Sequence, residues 1–374
     1  MKVVFISNFL NHHQTPFCNE MVNRLGEDFK FISTMALPTE RKNFGYDDFS
    51  NAEYSVNAYL SEEEKARAKS LCDSADVVIF GDAPEEYIEN RIAENKLTFR
   101  YSERYFKKGR WHVLDPRVLL SLYKKDYKRR NKNLFVLCAG AYVSSDMRFI
   151  RSYPNKTFKW GYFPEVKKYK DVNTVIENKI PFSILWAGRL ISWKHPEDAI
   201  YVAERLKSEG YNFELTIVGS GELEQKLEKR IMKKRLQDQI RLFGSVSQAK
   251  VRSIMEKSEI FIFTSDRQEG WGAVLSEAMN SACTVVANKK IGSVPYLIKD
   301  GENGLIYKTK KELYEKVKSI LIDKELKKVL GTNAYETMNS TWNAEVAAER
   351  LITLIEKIEN GEDTPYLEGP CSRD

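Results

Sequence analysis

Glu269-Gly270-Trp271-Gly272-Ala273-Val274-Leu275-Ser276-Glu277 sets two carboxylates eight positions apart around a double-glycine turn. Just before it, Ile260-Phe261-Ile262-Phe263-Thr264 is a continuous apolar run, as in strands covered on both faces. The chain therefore turns between Ser265 and Gly272, and the stretch from Ala273 to Met279 reads as a helix. Gly270 and Gly272 fall where the free N–H groups of a helix start point outward, a place for a phosphate or an anionic sugar ligand. Glu269 is expected on the strand-end loop and Glu277 on about the second helical turn, both at one rim. Ionised carboxylates only accept hydrogen bonds, which suits them to pairs of sugar hydroxyls. Taken alone, the pattern fits a loop glutamate and a solvated helix glutamate equally well.

Working outward, short apolar runs alternate with helical stretches along the whole chain, the pattern of open α/β sheets. In the first half the predicted strands are Lys2 to Ser7, Phe29 to Ser33, Val77 to Phe80, Leu97 to Tyr101 and Leu134 to Cys138. Pro16 at a first helical position and Gly26 after Leu25 bound the first helix. A second α/β unit begins at Phe182, with strands at Ile184 to Ala187, Phe213 to Val218, Ile240 to Phe243, Ile260 to Thr264 and Thr284 to Ala287. Helices are expected from Pro196 to Gly210, Leu223 to Lys234, Gln248 to Lys257, Gly272 to Asn280 and Ala344 to Glu359. Two successive nucleotide-binding-type sheets imply a cleft between them.

The motifs of the second half resemble, in order and spacing, those of the retaining glycosyltransferases of the glycosyltransferase family 4 group. Glu269 to Glu277 is similar to that family's E-x7-E signature, Gly188-Arg189 through Lys194 to its G-R-x4-K element, and Gly219-Ser220-Gly221 to its G-x-G turn. Gly292-Ser293-Val294-Pro295 is similar to its G-G-x-P loop, and Gly301 to Gly304 completes the set. The resemblance runs from about Phe182 to Trp342; Ser293 and Tyr296 depart from it, in positions that bear on the donor sugar. It implies a GT-B fold, with two Rossmann-like domains facing each other across a cleft and a C-terminal helix crossing back to the first. The expected divisions are an acceptor-binding domain 1–164, a linker 165–178, a nucleotide-sugar-binding domain 179–343, the returning helix 344–360 and a mobile tail 361–374.

Arg189 and Lys194 lie in a loop before a proline-started helix, two cations suited to one dianionic group such as a nucleotide diphosphate. Held there, they would stabilise the departing diphosphate more than the bound donor. By resemblance, Glu277 accepts from the ribose hydroxyls and Glu269 from the donor sugar. Gly188, Gly219, Gly221, Gly270, Trp271, Gly272, Ala273 and Val274 are expected to line the donor. On the acceptor side the candidates are His12 and His13, in the loop after the first strand, and Glu103 and Arg104, after Leu97 to Tyr101. Solvated loop histidines and a surface ion pair are the plain alternatives. His195 is read as a cap on the helix that starts at Pro196.

The chain has no D-x-D triad and no His or Cys cluster with metal-ligand spacing, so a metal-independent reaction with no cofactor beyond a UDP- or GDP-sugar substrate is expected. Its five cysteines are scattered, and no apolar run matches a membrane span, which reads as a reduced, cytoplasmic protein. The net charge of +6 conceals an asymmetry: residues 101–170 carry 18 Lys plus Arg against 5 Asp plus Glu. Lys124-Lys125-Asp126-Tyr127-Lys128-Arg129-Arg130, after Leu119, Leu120, Leu122 and Tyr123, reads as an amphipathic face for the anionic inner surface of the cell membrane, or as a solvated helix end. Nothing in the chain matches a nucleic-acid reader. The function expected is transfer of a sugar to a saccharide or lipid-linked acceptor in surface polysaccharide or glycolipid synthesis. A nucleotide-sugar epimerase on the same fold and a noncatalytic basic scaffold for anionic lipid or polymer are the alternatives.

Overall fold

The computed structural model describes residues 1–39 and 47–374, and its contacts divide the chain into two units. Unit 1 comprises Met1–Glu165 together with Asn343–Asp374, and unit 2 is the continuous stretch Val166–Trp342.

Among the described residues, unit 1 holds the strands β1 (Val3–Ser7), β2 (Phe29–Ser33), β3 (Ser55–Asn57), β4 (Val77–Phe80), β5 (Thr98–Ser102), β6 (Leu134–Ala139) and β7 (Thr157–Trp160). They form one parallel sheet in the order β3-β2-β1-β4-β5-β6-β7. Val3 is level with Phe29 on one side and with Val77 on the other, so the strand order reverses beside β1. Every residue of β1 and β4 is buried, which is why both read as unbroken apolar runs. The helix Thr15–Leu25 has proline in its first turn and ends at Gly26, whose φ of 55° lies in the left-handed region that favours glycine.

Unit 2 holds β8 (Ile180–Ala187), β9 (Glu214–Val218), β10 (Ile240–Leu242), β11 (Ser258–Phe263), β12 (Thr284–Asn288) and β13 (Leu305–Tyr307). This sheet is also parallel, in the order β10-β9-β8-β11-β12-β13, and its strand order reverses between β8 and β11. At such a reversal the connections leave in opposite directions and open a crevice beyond the carboxyl ends of the strands. Ala187 and Phe263, the last residues of β8 and β11, deliver the chain to that crevice.

Three strands escape sequence reading. Ser55–Asn57 and Leu305–Tyr307 are too short to show a period, and Thr157–Trp160 is the outermost strand of its sheet. Within the stretch expected to be a linker, Val172–Glu177 is a helix capped by Asp171, and Lys167 N–H donates to Asn280 Oδ1 at 2.8 Å inside unit 2. The tail, expected to be mobile, is pinned instead. Cys371 N–H donates to Lys159 O and Lys159 N–H to Ser372 O, both at 2.8 Å, so the tail adds an antiparallel bridge to the outer side of β7. Cys371 and Ser372 are fully buried there. Proline, glycine and charge made this tail look disordered, but an exposed sheet edge supplies partners that composition does not reveal. The helix Ala344–Glu359, capped by Asn343, packs on Thr15–Leu25 and buries Ala347, Ala348, Leu351, Leu354 and Ile355.

Removing residues 361–374 is therefore expected to lower the Tm of the protein by roughly 4–8 °C, as a loss of about 2 kcal/mol does in a unit of this size. Calorimetry on the truncated chain checks this, and an unchanged Tm would mean that the tail lies free.

Candidate active site

The loop after β8 is built backbone on backbone. Gly188 N–H donates to Val218 O at 3.0 Å and Leu190 N–H to Ser220 O at 2.8 Å, binding the loop after β8 to the loop after β9. A side chain on Gly219 would place its Cβ 1.9 Å from Gly188 O, and one on Gly221 would fall 2.6 Å from Leu190 O. The sequence reading placed these glycines at the ligand; the approach of the two loops already requires both.

That packing positions the turn Ser192–Lys194. Trp186 Nε1–H donates to Thr264 Oγ1 at 2.8 Å, and the Thr264 hydroxyl donates to Lys194 O at 2.6 Å, so β8, its loop and the end of β11 are tied through one threonine. Lys194 Nζ then forms an ion pair with the Glu269 carboxylate, and Ser265 Oγ–H donates to Glu269 Oε2 at 2.8 Å. Both charged side chains are largely buried, and the ammonium lies 4.7 Å from the centre of the Trp193 ring. Glu269 Oε1 takes no hydrogen bond from the described residues. Arg189 is not part of this cluster. It is exposed, forms no ion pair among the described residues and lies 5.9 Å from the Trp193 ring centre.

His195 occupies the first-cap position of Pro196–Ser208 with φ of 50°, but its ring does not cap the helix. The ring lies between Glu197, at 3.2 Å from Nδ1, and Asp266, at 3.4 Å from Nε2. The hydrogen bond with Glu197 leads in pushing its pKa above the usual histidine value.

Glycine is required at 272, where φ is 86° and a Cβ would meet Phe263 Cζ at 2.5 Å. Gly270 is buried, and the Trp271 side chain turns into the core, with ring centres 5.7 Å from Trp342 and 6.3 Å from Tyr296. Ala273 stands at the first-cap position of the helix Val274–Asn280 without a capping side chain, and the helix starts two residues later than the sequence suggests because Gly272 is left-handed. Glu277 lies half-buried in the first turn, with a carboxyl pushed up to about 7 by burial while Arg252 pulls against the shift. Arg252 Nη1–H donates to Asn280 Oδ1 at 2.7 Å and to Glu277 O at 3.3 Å. Lys179 Nζ, buried, donates to Ser258 O and Ser281 O, both at 2.9 Å, and fixes the far end of the same helix.

In unit 1, His12 and His13 follow β1 with ring centres 3.7 Å apart, and His13 stacks at 5.9 Å on Tyr162. Tyr162 O–H donates to Glu103 Oε1 at 2.6 Å, while Lys107 pairs with the other carboxylate oxygen. Glu103 and Arg104 do not pair with each other: Arg104 lies 3.6 Å from the fully buried carboxylate of Asp146 and over the Tyr142 ring. The backbone between them turns their side chains to different partners, which residue order alone does not foretell. Sequence reading also missed Thr264, Ser265, Arg252 and Lys179. For the first two a signal exists: a polar pair directly after an apolar strand.

Residues 168–337 match the family model of glycosyl transferases group 1. That match covers nearly the whole length of the second unit. The chain is 28% identical over 178 residues to the alpha-D-kanosaminyltransferase of Streptomyces kanamyceticus, covering 47% of this chain and 45% of that one. It is 33% identical over 129 residues to the amylovoran biosynthesis glycosyltransferase of Erwinia amylovora, covering 33% and 31%. These matches span between about a third and a half of the relatives' own length. The fold of nearly the whole chain is that of Anabaena HepE, solved in complex with UDP: TM-score 0.68, 14% identity, 96% of this chain and 99% of that one. Both sheets therefore share the two-domain, Rossmann-like fold of that structure.

Replacing Lys194 alone by Met leaves a buried, unpaired carboxylate and is expected to destabilise unit 2 by roughly 3–5 kcal/mol. K194M combined with E269Q should recover much of that loss in urea unfolding. Gly219→Ala should destabilise as well, since a contact of 1.9 Å forces the two loops apart.

Proposed function

We propose that this protein is a retaining glycosyltransferase, transferring a hexose from a nucleotide-sugar donor to a saccharide or lipid-linked acceptor in the synthesis of a surface polysaccharide or glycolipid. The observation that carries the reading is the buried Lys194–Glu269 pair at the carboxyl ends of β8 and β11, inside the stretch that matches group 1 glycosyl transferases. The printed name of the Erwinia relative supports the polysaccharide setting, and the nucleotide bound by Anabaena HepE favours UDP over GDP.

In this reading Lys194 and Arg189 hold the diphosphate and stabilise the charge it gains as the glycosidic bond breaks, each contributing about a hundredfold or more in rate. Glu269 offers its unbonded oxygen to the donor sugar, and Glu277 accepts from the ribose hydroxyls. Backbone groups from Gly270 to Val274 line the sugar and diphosphate. Both carboxylates have binding roles, so retention proceeds on the front face, the leaving phosphate accepting the acceptor's proton. With no D-x-D triad in the sequence, we take the reaction to need no metal. His12, His13 and Glu103 belong to the acceptor side, and the reaction is placed in the cytoplasm, at the inner face of the membrane when the acceptor is lipid-linked.

Thermal shift in EDTA against UDP, GDP, ADP and their sugar conjugates tests this, because a bound ligand raises apparent stability by mass action. One nucleotide family should shift the Tm, and Glu277→Ala should abolish the shift. Lys194→Ala should lower kcat about a hundredfold with a smaller effect on nucleoside affinity. No shift with any nucleotide would favour a basic scaffold.

A pH dependence follows from Glu277. Its carboxyl titrates near 7, so the acceptor form is depleted as the pH falls through that value. Donor affinity should therefore drop from pH 8 to pH 6, by about tenfold for each unit below the pKa, and Glu277→Gln should flatten the profile measured by calorimetric titration.

A further inference from the structure

The helix Pro116–Lys125 buries none of its residues, although Asp115 caps it and proline starts it. Val118, Ser121 and Leu122 are half-buried on its inner side. At helical spacing Leu119, Leu120 and Tyr123 lie together on the opposite, outer side. With Trp111 and Leu114 of the preceding turn Arg110–Leu114, these side chains are between 51% and 80% exposed. The helix thus turns apolar residues to solvent, the reverse of an ordinary surface helix.

Cations border that stripe. Lys108, Lys124, Lys125 and Lys128 are exposed and form no ion pair among the described residues. Other charges of the same stretch are spent inside the unit. Arg129 Nη1–H donates to Glu85 at 2.6 Å, and buried Asp126 accepts from Tyr153 O–H at 2.7 Å and Tyr105 O–H at 3.2 Å. Asp126 follows the helix directly, so these bonds hold its carboxyl end to the fold.

We propose that this surface docks unit 1 on an anionic lipid bilayer, with Trp111, Leu114, Leu119, Leu120 and Tyr123 at the boundary between headgroups and acyl chains and the lysines against lipid phosphates. A soluble polyanion would neutralise the lysines and gain nothing from projecting leucines. A second copy of the chain would set like charges against each other. A bilayer accepts both: short apolar projections enter it, tryptophan and tyrosine settle at its interface, and lysine stems reach back to the headgroups. The surface names the residues behind the membrane element of the proposed function, and it rests on that reading only for the lipid-linked acceptor.

Sedimentation of the full chain with vesicles of phosphatidylcholine, alone or with about one third phosphatidylglycerol, tests the proposal. Binding to the anionic vesicles that weakens with added salt is expected. Lys124→Gln, Lys125→Gln and Lys128→Gln together should lower partition about a hundredfold, at roughly fivefold per cation. Leu119→Ser with Leu120→Ser should release the protein even at low salt. The nucleotide-induced Tm shift serves as the control: it should survive in both variants, so a failure of docking stays distinct from a failure of the donor reading. No binding to anionic vesicles, or binding indifferent to the leucine pair, would overturn the proposal.

Discussion

Unit 2 depends on the pairing of Lys194 with Glu269. The pair spans the strand reversal, joining the loop after β8 to the loop after β11, and both groups are withdrawn from water. Such a pair costs several kcal/mol in desolvation per ion, which mutual attraction alone seldom returns with a surplus. Here the cost is met by surrounding structure: Thr264 fixes the lysine backbone, Ser265 adds a hydrogen bond to the carboxylate, and Trp193 lies near the ammonium. What results is a fixed positive charge and a fixed acceptor side by side at the mouth of a parallel sheet. A phosphate arriving there would find an ammonium already oriented, so little reorganisation is left for the moment of reaction.

Unit 1 treats charge differently. Arg100 forms two hydrogen bonds to Glu85, at 3.0 and 3.3 Å, and Arg129 adds a third at 2.6 Å, beneath a helix whose own lysines remain in solvent. Burial alone would raise the Glu85 carboxyl, but Arg100 and Arg129 outweigh it and hold the group below its ordinary value. One short basic stretch therefore contains two populations of cations, those that anchor the segment and those that give it a field. The first population makes the second rigid.

The sheets were legible because their strands are buried on both faces and so appear as apolar runs that need no alternation to be seen. The glycine positions at 188, 219, 221 and 272 were legible as turns, yet not their cause, since a contact between two backbones leaves no mark on either segment alone. Lys194 and Glu269 were each visible from spacing, but their direct pairing was not, because 75 residues separate them. The three short strands and the pinned tail were hidden for a related reason: their stability comes from an edge provided elsewhere. The order of Glu103 and Arg104 invited a pairing that local backbone geometry undoes. Lys179 was silent because a buried ammonium satisfied by carbonyls has no sequence partner to betray it.

Unit 1 is assembled from two stretches of chain separated by the whole of unit 2. On the ribosome, the first 165 residues emerge with their sheet complete in strands, yet without Ala344–Glu359 or the strand-like tail that borders β7. Unit 2 is continuous and able to close as soon as it is made. Synthesis therefore imposes an order: the inserted unit can finish before the one that encloses it in sequence, and the nascent first unit waits with the helix Thr15–Leu25 and the edge of β7 uncovered. Vulnerability to aggregation is concentrated in that interval, and it ends only when residues 343–374 have been added and have docked on the first stretch.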